Sequence, residues 1–248
     1  MLTLFPEVFG ALRHSVVGRA IETGRVVLNI VNIRDFASDS YKTVDDAPYG
    51  GGAGQLLKPD VLGRAIDSVY DRANPKGPIF YLSPRGERFS QALAESLGRE
   101  AETTFICGHY EGIDERIIEY YGVRELSLGD FVTSGGETPL LPVIDAAARL
   151  IPGVLGSEGS LKDESFSRSL SGLLEYPQYT RPEVWNGLSV PEVLISGHHK
   201  NIEAWRREQS LKTTASSRPD LLTKDRPNEI LRDDRGNRGN KRDSHPLR

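Results

Sequence analysis

Three glycine-bearing segments of this chain each follow directly on a stretch that is predicted to form a strand. They span residues 81–86, 107–114 and 127–137. Glycine lets the backbone adopt a positive φ or approach a ligand closely, and open α/β sheets bind their ligands at the carboxyl ends of the strands. We therefore expect the three segments to line one pocket for a small molecule. The alternative interpretation is that the glycines serve only as tight turns.

The rest of the first 155 residues alternates between predicted strands and predicted helices. Strands are predicted at 26–33, 79–82 and 103–107, and helices at 59–70, 90–97, 114–121 and 138–151. Ser90 is expected to cap its helix, Pro139 suits the first turn of the last helix, and Pro152 and Gly153 are expected to end it. Alternating strands and helices predict an α/β fold with a mostly parallel sheet covered by helices on both faces.

The overall composition limits the classes of protein to be considered. One cysteine in 248 residues excludes an intramolecular disulfide and favours a reducing compartment. No apolar run approaches the roughly 20 residues that a membrane-spanning helix requires, and the first residues do not look like a signal peptide. We therefore expect a cytoplasmic protein without a membrane partner. A net charge of −4 means that any contact with nucleic acid must come from a local basic face.

The composition changes after Gly153. Residues 156–171 are rich in Gly, Ser and charged side chains, which predicts a flexible linker after a first domain at 1–155. A small helical domain is predicted at 172–223, with its clearest helix at 201–212, where Ile202, Trp205 and Leu211 are expected to be buried. Residues 224–248 are dominated by Arg, Asp, Asn and Gly, a composition that is typical of a disordered tail.

Several blocks of the sequence together resemble one family. They are Leu4-Phe5-Pro6-Glu7, Pro48 to Gly54, the three glycine-bearing segments, Ile151 to Gly156, Tyr179-Thr180-Arg181-Pro182 and Trp205-Arg206. In this order they resemble the bacterial tRNA (guanine-N(1)-)-methyltransferases of the knotted methyltransferase superfamily, over roughly residues 2–222. The resemblance implies a deep trefoil knot, where periodicity alone predicts an ordinary open sheet because knots are nearly absent from proteins. It also implies a homodimer whose active sites are shared between subunits.

The same resemblance implies a cofactor and a substrate. S-adenosylmethionine is expected to bind in the knot and to give its methyl group to the guanosine immediately 3′ to the anticodon, where that guanosine follows another. The cofactor residues implied on this chain are Tyr81, Leu82, Ser83, Pro84, Gly108, Tyr110, Glu111, Ser127, Leu128, Gly129, Asp130, Phe131, Val132, Thr133, Gly135, Gly136 and Pro139. A basic face of Arg181, Lys200, Arg206 and Arg207 is the predicted contact for the tRNA anticodon arm.

The chemistry of the reaction requires a base and a cation. Nitrogen 1 of guanine carries a proton, so a base must remove it, and the negative charge that moves to the carbonyl oxygen needs a cationic donor. By resemblance Arg149 supplies the cation. The family reads Glu-Asp-Ser-Phe where this chain reads Asp163-Glu164-Ser165-Phe166. An ungapped alignment places Glu164 at the position of the base, and Asp163 is its competitor.

Other functions stay open on the residues alone. The alternatives are a knotted methyltransferase for another RNA, a non-catalytic RNA-binding relative, and a nucleotide-hydrolysing enzyme. The glycine-rich loop at 50–54 lacks the Gly-Lys-Ser/Thr ending of a phosphate-binding loop, which disfavours the last of these. His198 and His199 have no Cys or carboxylate cluster beside them, so no metal site is predicted. A divalent-metal requirement for the reaction stays open.

Overall fold

The computed structural model describes residues 1–156 and 163–223, and the chain divides after Gly156 into two units, of which the described parts are 1–156 and 163–223. Residues 157–162 of the predicted linker, and the whole predicted tail at 224–248, lie outside the described residues. Residues 163–171, at the end of the predicted linker, form a series of hydrogen-bonded turns.

The first unit is built on a parallel sheet. The strands of this unit are β1 (Leu2–Thr3), β2 (Val31–Asn32), β3 (Asp45–Asp46), β4 (Leu56–Leu57), β5 (Ile79–Arg88), β6 (Thr104–Ile106) and β7 (Arg124–Ser127). Five of them form a sheet in the order β2-β1-β6-β5-β7, and every pairing in it is parallel. Strands β3 and β4 form a separate antiparallel pair. Because β5 and β6 are central and parallel, the loops that follow them emerge at the same edge of the sheet.

Helices cover both faces of this sheet. They are α1 (Ser15–Glu22), α2 (Pro59–Asp67), α3 (Gln91–Leu97), α4 (Glu115–Tyr121) and α5 (Glu137–Ala148), with 3-10 segments at Pro6–Arg13 and Ile33–Phe36. Alternate residues of β5 divide between two cores. Tyr81 packs in the core that contains α2 and α4, whereas Phe80 and Leu82 pack in the core that contains α3 and α5. The predicted α/β class and mostly parallel sheet are confirmed.

One predicted strand is wrong over most of its length. The β-branched stretch 26–33 forms a strand only at Val31–Asn32, which pairs with Leu2 and Thr3 of β1. The peptide oxygen of Asn29 instead accepts a hydrogen bond from the amino group of Met1 at 2.6 Å. Strand propensity requires a neighbouring strand to pair with, and here β1 provides two residues. By contrast, the predicted cap of α3 is confirmed, since the Ser90 hydroxyl accepts a hydrogen bond from the Leu93 N–H.

The second unit contains α6 (Glu192–Ile195), α7 (His199–Ser217), a 3-10 turn at Pro219–Leu222, and a hairpin of β8 (Val184–Trp185) and β9 (Leu188–Ser189). Leu211 of α7 is 42% exposed, so its predicted burial is wrong. Ser210 and Thr214 are buried instead, because the peptide N–H of Leu174 donates a hydrogen bond to the Thr214 hydroxyl and covers that face. Ile202 and Trp205 are half-buried.

Candidate functional site

A cavity of about 210 Å³ lies beside the ends of β6 and β7 and against residues 81–84 of β5, where the pairing of β5 with β7 is interrupted between Leu82 and Glu87. It brings together nearly all of the residues that were predicted to hold a cofactor. These are Tyr81, Leu82, Ser83, Pro84, Gly108, Tyr110, Glu111, Ser127, Leu128, Gly129, Phe131, Val132, Thr133, Gly135, Gly136 and Pro139. The three glycine-bearing segments therefore meet in space. The segments at 107–114 and 127–137 begin where β6 and β7 end, as predicted. The segment at 81–86 lies inside β5, so the prediction that it follows a strand is wrong.

One predicted residue does not line the cavity, and four lining residues were missed. Asp130 is exposed and forms an ion pair with Arg88 at 2.8 Å, because the loop turns this side chain away from the cavity. His109, Gly112, Leu126 and Ser134 also line the cavity. Each of the four lies within or next to a glycine-bearing segment, so the signal that could have found them is their position along the chain.

Two of the glycines are required by packing between the loops. A Cβ on Gly108 would lie 2.5 Å from the ring of Tyr81, and a Cβ on Gly136 would lie 2.7 Å from the Cα of Cys107. The N–H of Gly136 donates a hydrogen bond to the peptide oxygen of Gly108 at 2.9 Å. The loops after β6 and β7 are therefore in direct backbone contact. Protein atoms, rather than a ligand, fill the space that a Cβ would need.

The loop after β7 is shaped by its own side chains. The Ser127 hydroxyl accepts a hydrogen bond from the Gly129 N–H and donates one to the Gly129 oxygen, and the Thr133 hydroxyl donates to the oxygen of Gly135. Gly129 has a φ of +149°, which side chains rarely tolerate. These contacts hold the loop in one conformation at the mouth of the cavity.

The walls of the cavity suit a ligand that combines a flat ring with a positive charge. Leu82, Leu128 and Pro139 provide apolar surface, and peptide groups of the loops provide donors and acceptors. The Glu111 carboxylate and the Tyr81 ring attract cations. Burial is the main reason why the pKa of the Tyr81 hydroxyl is raised. S-adenosylmethionine, an adenosine with a sulfonium, has the matching chemistry.

Tyr110 connects the cavity to a second group of charges. Its pKa is raised by burial and by a hydrogen bond to Asp45, whereas Arg34 acts in the opposite direction. Its φ of +59° lies in the left-handed region, which is uncommon for a residue other than glycine. Cys107, at the end of β6, is fully buried, and burial raises the pKa of its thiol well above the ordinary value. The expectation of a small buried residue rather than a nucleophile matches these properties.

Arg149 lies far from the cavity of its own chain. It is the half-buried residue that follows α5, whose first turn contains Pro139. Pro139, which lines the cavity, lies ten residues before Arg149, which corresponds to roughly 15 Å along the axis. Arg149 does not line the cavity.

The second unit contains the acidic pair in a compact turn. The peptide N–H of Phe166 donates to the oxygen of Leu173 at 2.8 Å, and the N–H of Glu175 donates to the Ser165 hydroxyl at 2.9 Å. Glu164 is half-buried in this turn.

The carboxylate of Asp163 interacts with Tyr176, a buried tyrosine of the same unit. The Tyr176 hydroxyl donates a hydrogen bond to the Asp163 carboxylate. The guanidinium of Arg206 lies 4.8 Å from the centre of the Tyr176 ring. Burial raises the pKa of Tyr176, and Arg206 opposes that shift.

The structure divides the predicted basic face. Arg181, Lys200 and Arg207 are exposed, and Lys200 and Arg207 lie seven residues apart on one face of α7. Arg206 points elsewhere, and its Nε is buried without a hydrogen-bond partner among the described residues. Glu203 shares the face of Lys200 and Arg207, so this face is not uniformly positive.

Within residues 1–156 and 163–223, no helix is long and apolar enough to cross a membrane. In the same residues, no three His, Cys, Asp or Glu side chains are grouped so that they could hold a metal ion.

Comparison with known proteins places the chain in a family. Residues 1–224 match the model of the family described as tRNA (Guanine-1)-methyltransferase TrmD. A tRNA (guanine-N(1)-)-methyltransferase of Clostridium perfringens strain SM101 is 53% identical over 224 residues, which cover 90% of this chain and 92% of that protein. Proteins of the same name from Clostridium novyi strain NT and Clostridium botulinum strain Hall are each 52% identical over 90% of this chain, covering 90% and 91% of their own lengths. The chain therefore belongs to the tRNA (guanine-1)-methyltransferase family.

Proposed function

We propose that this chain transfers the methyl group of S-adenosylmethionine to nitrogen 1 of the guanosine immediately 3′ to the tRNA anticodon, in tRNAs where that guanosine follows another. The observation that carries the proposal is the single cavity formed by the three glycine-bearing segments, in a chain that belongs to this family. The proposed substrate is cytoplasmic tRNA, which supports a cytoplasmic location.

In this proposal the cavity binds the cofactor. Peptide groups of the loops after β6 and β7 would hold the adenine, Leu82, Leu128 and Pro139 would provide apolar contact for it, and the Glu111 carboxylate would supply a negative charge for the sulfonium. The bound cofactor supplies an activated methyl group, so the protein contributes mainly by positioning the target base. That base must leave its stack to reach the methyl group.

Glu164 is the proposed general base. It removes the proton from guanine nitrogen 1 as the new nitrogen–methyl bond forms and the sulfur–methyl bond breaks, and the sulfur keeps the electron pair of the broken bond. Negative charge moves to the carbonyl oxygen of guanine, where Arg149 stabilises it. The ungapped match of Asp163-Glu164-Ser165-Phe166 to the family's Glu-Asp-Ser-Phe supports this choice.

The position of Arg149 supports a shared active site. Because α5 separates Arg149 from the cavity residue Pro139 of its own chain by roughly 15 Å, we propose that Arg149 serves the cavity of a second copy. In a homodimer with two shared sites, each target guanine then meets the cavity of one copy and the Arg149 of the other. A symmetric dimer provides two equivalent sites of this kind.

The finer organisation of the fold is also a proposal. We propose a methyltransferase domain at 1–155 whose last loops form a deep trefoil knot, a linker at 156–171 that carries the catalytic acid, and a tRNA-binding domain at 172–223. Membership of the family and the contact between the Gly108 and Gly136 loops support this arrangement. Arg181, Lys200 and Arg207 contact phosphates of the anticodon arm. Arg206 supports this surface by packing on Tyr176.

The test is methyl transfer to defined transcripts. The purified protein, labelled S-adenosylmethionine and a transcript with guanosine at the target position and the position before it should yield label as 1-methylguanosine after nuclease digestion. A transcript with adenosine at the target position is the matched control and should stay unlabelled.

Two other outcomes would contradict the proposal. Label in a ribosomal RNA fragment, with none in the tRNA transcript, would identify another RNA as the substrate. Tight binding of both cofactor and tRNA without any transfer would indicate a non-catalytic RNA-binding protein.

A further inference from the structure

One buried carboxylate joins three separate segments of the first unit. Glu137, the first residue of α5, is 3% exposed. One of its oxygens accepts a hydrogen bond from the hydroxyl of Thr3 at 2.5 Å. The other lies 2.6 Å from Nε2 of His109. The end of β1, the loop after β6 and the start of α5 are therefore connected through a single side chain.

The surroundings of this carboxylate are part of the cavity wall. His109, Gly135 and Gly136 line the cavity, and Glu137 lies directly behind them. A Cβ on Gly135 would lie 2.3 Å from the His109 ring and 2.8 Å from a Glu137 oxygen. The loop after β7 therefore approaches His109 as closely as a glycine allows.

His109 is fixed from a second side. Its ring centre lies 4.8 Å from that of Phe5. The N–H of Phe5 donates to the hydroxyl of Thr3, which itself donates to Glu137. These contacts form a closed set, so a displacement of the carboxylate changes the positions of both His109 and the end of β1.

A hydrophobic side chain would fill this site without the desolvation of a carboxylate. A buried charge is unfavourable unless hydrogen bonds and partners compensate for it, and the N-terminus of α5 offsets only part of that loss. A carboxylate at this position therefore indicates a need for directional contacts to two segments at once.

We propose that Glu137 is a positioning residue that sets the separation of the His109 and Gly135 loops, and thereby the affinity for S-adenosylmethionine. The inference rests on the proposed function, since the cofactor is the ligand assigned to the cavity. Glu137 touches neither the reacting atoms nor the cofactor in this assignment, because it acts through His109 and Gly135.

The test compares three variants of the full chain. Glu137→Ala should raise the Kd for S-adenosylmethionine by about tenfold or more and raise its KM equally, while kcat at saturating cofactor and the Kd for tRNA change less than about threefold. Glu137→Gln keeps the shape and two hydrogen-bonding groups, and it should bind the cofactor within about threefold of the wild type.

Leu140→Ala is the matched control for a purely structural effect. Leu140 is fully buried one turn further along α5 and does not line the cavity. This variant should lower Tm at least as much as Glu137→Ala, yet leave the Kd for the cofactor unchanged. Calorimetry without tRNA measures that Kd, and thermal unfolding without ligand measures Tm.

Several results would overturn the inference. It fails if Glu137→Ala binds the cofactor like the wild type, or if Leu140→Ala weakens cofactor binding equally. It also fails if the glutamine variant does not restore affinity. Should Glu137→Ala not fold, Thr3→Val, which removes one of the two hydrogen bonds, must raise the Kd by about threefold or more. A wild-type protein that does not bind the cofactor would overturn the proposed function as well.

Discussion

The hydroxyl of Tyr176 holds the carboxylate of Asp163, the residue directly before Glu164. Tyr176 is 7% exposed and lies under the guanidinium of Arg206, so its position is fixed by the packing of the second unit. Asp163 is exposed, whereas Glu164 is half-buried, so the two neighbouring acids differ in environment although their side chains have the same chemistry. We therefore expect the removal of Glu164 to abolish most methyl transfer, and the removal of Asp163 to change it little.

Glu164→Ala should lower the single-turnover rate of methyl transfer by about 10²- to 10⁴-fold, because a general base contributes on that scale. Cofactor and tRNA affinities should stay near wild-type values. Glu164→Asp, which keeps the carboxylate, should stay active. Asp163→Asn keeps an acceptor for Tyr176 and should lose less than about tenfold. An inactive Asp163→Asn variant beside an active Glu164→Ala variant would reverse the two roles.

Gly129→Val should weaken the binding of S-adenosylmethionine by about tenfold or more. A side chain at a φ of +149° is strained, and its Cβ would also lie 3.2 Å from the ring of Phe131. The loop must therefore move at the mouth of the cavity. Gly10→Ala is the control, because no atom lies within 4 Å of a Cβ at that position. Equal affinities of the two variants in calorimetry would contradict the assignment of this loop.

Mixing two impaired variants should restore activity if the sites are shared, at a cofactor concentration too low to saturate Gly129→Val. Gly129→Val damages the cavity, and Arg149→Ala removes the proposed cation. A mixed dimer then contains one site with an intact cavity and an intact arginine. After subunit exchange at equal concentrations, about a quarter of the wild-type activity should return. No recovery, with exchange confirmed by mass spectrometry, would mean that Arg149 acts on its own chain or not at all.

Arg206 and Arg207 should differ although they are adjacent. Arg207→Ala should weaken tRNA binding and lower the magnitude of its salt dependence by about one unit, as expected for one lost phosphate contact. Arg206→Ala should instead destabilise the second unit by about 1 kcal/mol, because its side chain stacks on Tyr176. Lys212→Ala is the control cation, since Lys212 pairs with Glu208 at 2.7 Å. Filter binding across a salt series and thermal unfolding separate the two effects.

The helix cap at Asp114 should make stability depend on pH in the acid range. Arg116 lowers the pKa of Asp114 through a two-pronged ion pair, and the Asp114 carboxylate also accepts the Arg116 N–H. A lowered folded pKa means that the stabilisation is complete above the unfolded pKa of about 3.9 and is lost as the pH falls through the folded value. Asp114→Ala should therefore cost about 1 kcal/mol at pH 7 and less below about pH 4.

The control for this pH dependence is Asp114→Asn, which keeps the cap without the charge. Its free energy of unfolding should lie between those of the wild type and the alanine variant at pH 7. Denaturant unfolding at several pH values measures the difference. A gap between the wild type and Asp114→Ala that stays constant down to pH 3 would contradict the ion pair.

The sequence predicted the positions that depend on local order along the chain. Segments that follow parallel strands meet at one edge of the sheet, so Gly108 and Gly129 were placed correctly on one cavity. The cap at Ser90 was also predictable, because a cap depends on residues within one helical turn.

The errors came from features that depend on distant residues. The strand at 26–33 was overestimated because pairing requires a neighbour, and β1 provides only two residues. Leu211 was placed in a core on periodicity, yet Leu174 covers the face of α7 that contains Thr214. The pair of Glu137 with His109 joins positions 28 residues apart, and no local pattern marks it.

The hairpin of β8 and β9 has a local turn signal in the sequence, although no strands were predicted there. Asn186 and Gly187 form its two-residue turn, and both have a positive φ, as the preferred hairpin turn requires. An Asn-Gly pair between apolar residues is a strong hairpin signal. The Asp130 side chain, in contrast, was assigned to the cavity by resemblance, whereas its ion pair with Arg88 becomes visible only in three dimensions.

The hairpin gives the molecule a built-in spectroscopic reporter. The chain has two tryptophans, Trp185 on the hairpin and Trp205 on α7, and both belong to the second unit. Trp185 is 64% exposed, whereas Trp205 is half-buried beside Tyr179. Fluorescence excited selectively at the indole therefore follows the second unit alone, and the tyrosines of the cofactor cavity contribute nothing to it. Titrations with cofactor and with tRNA would each show directly whether the ligand is sensed in the second unit, without an attached dye.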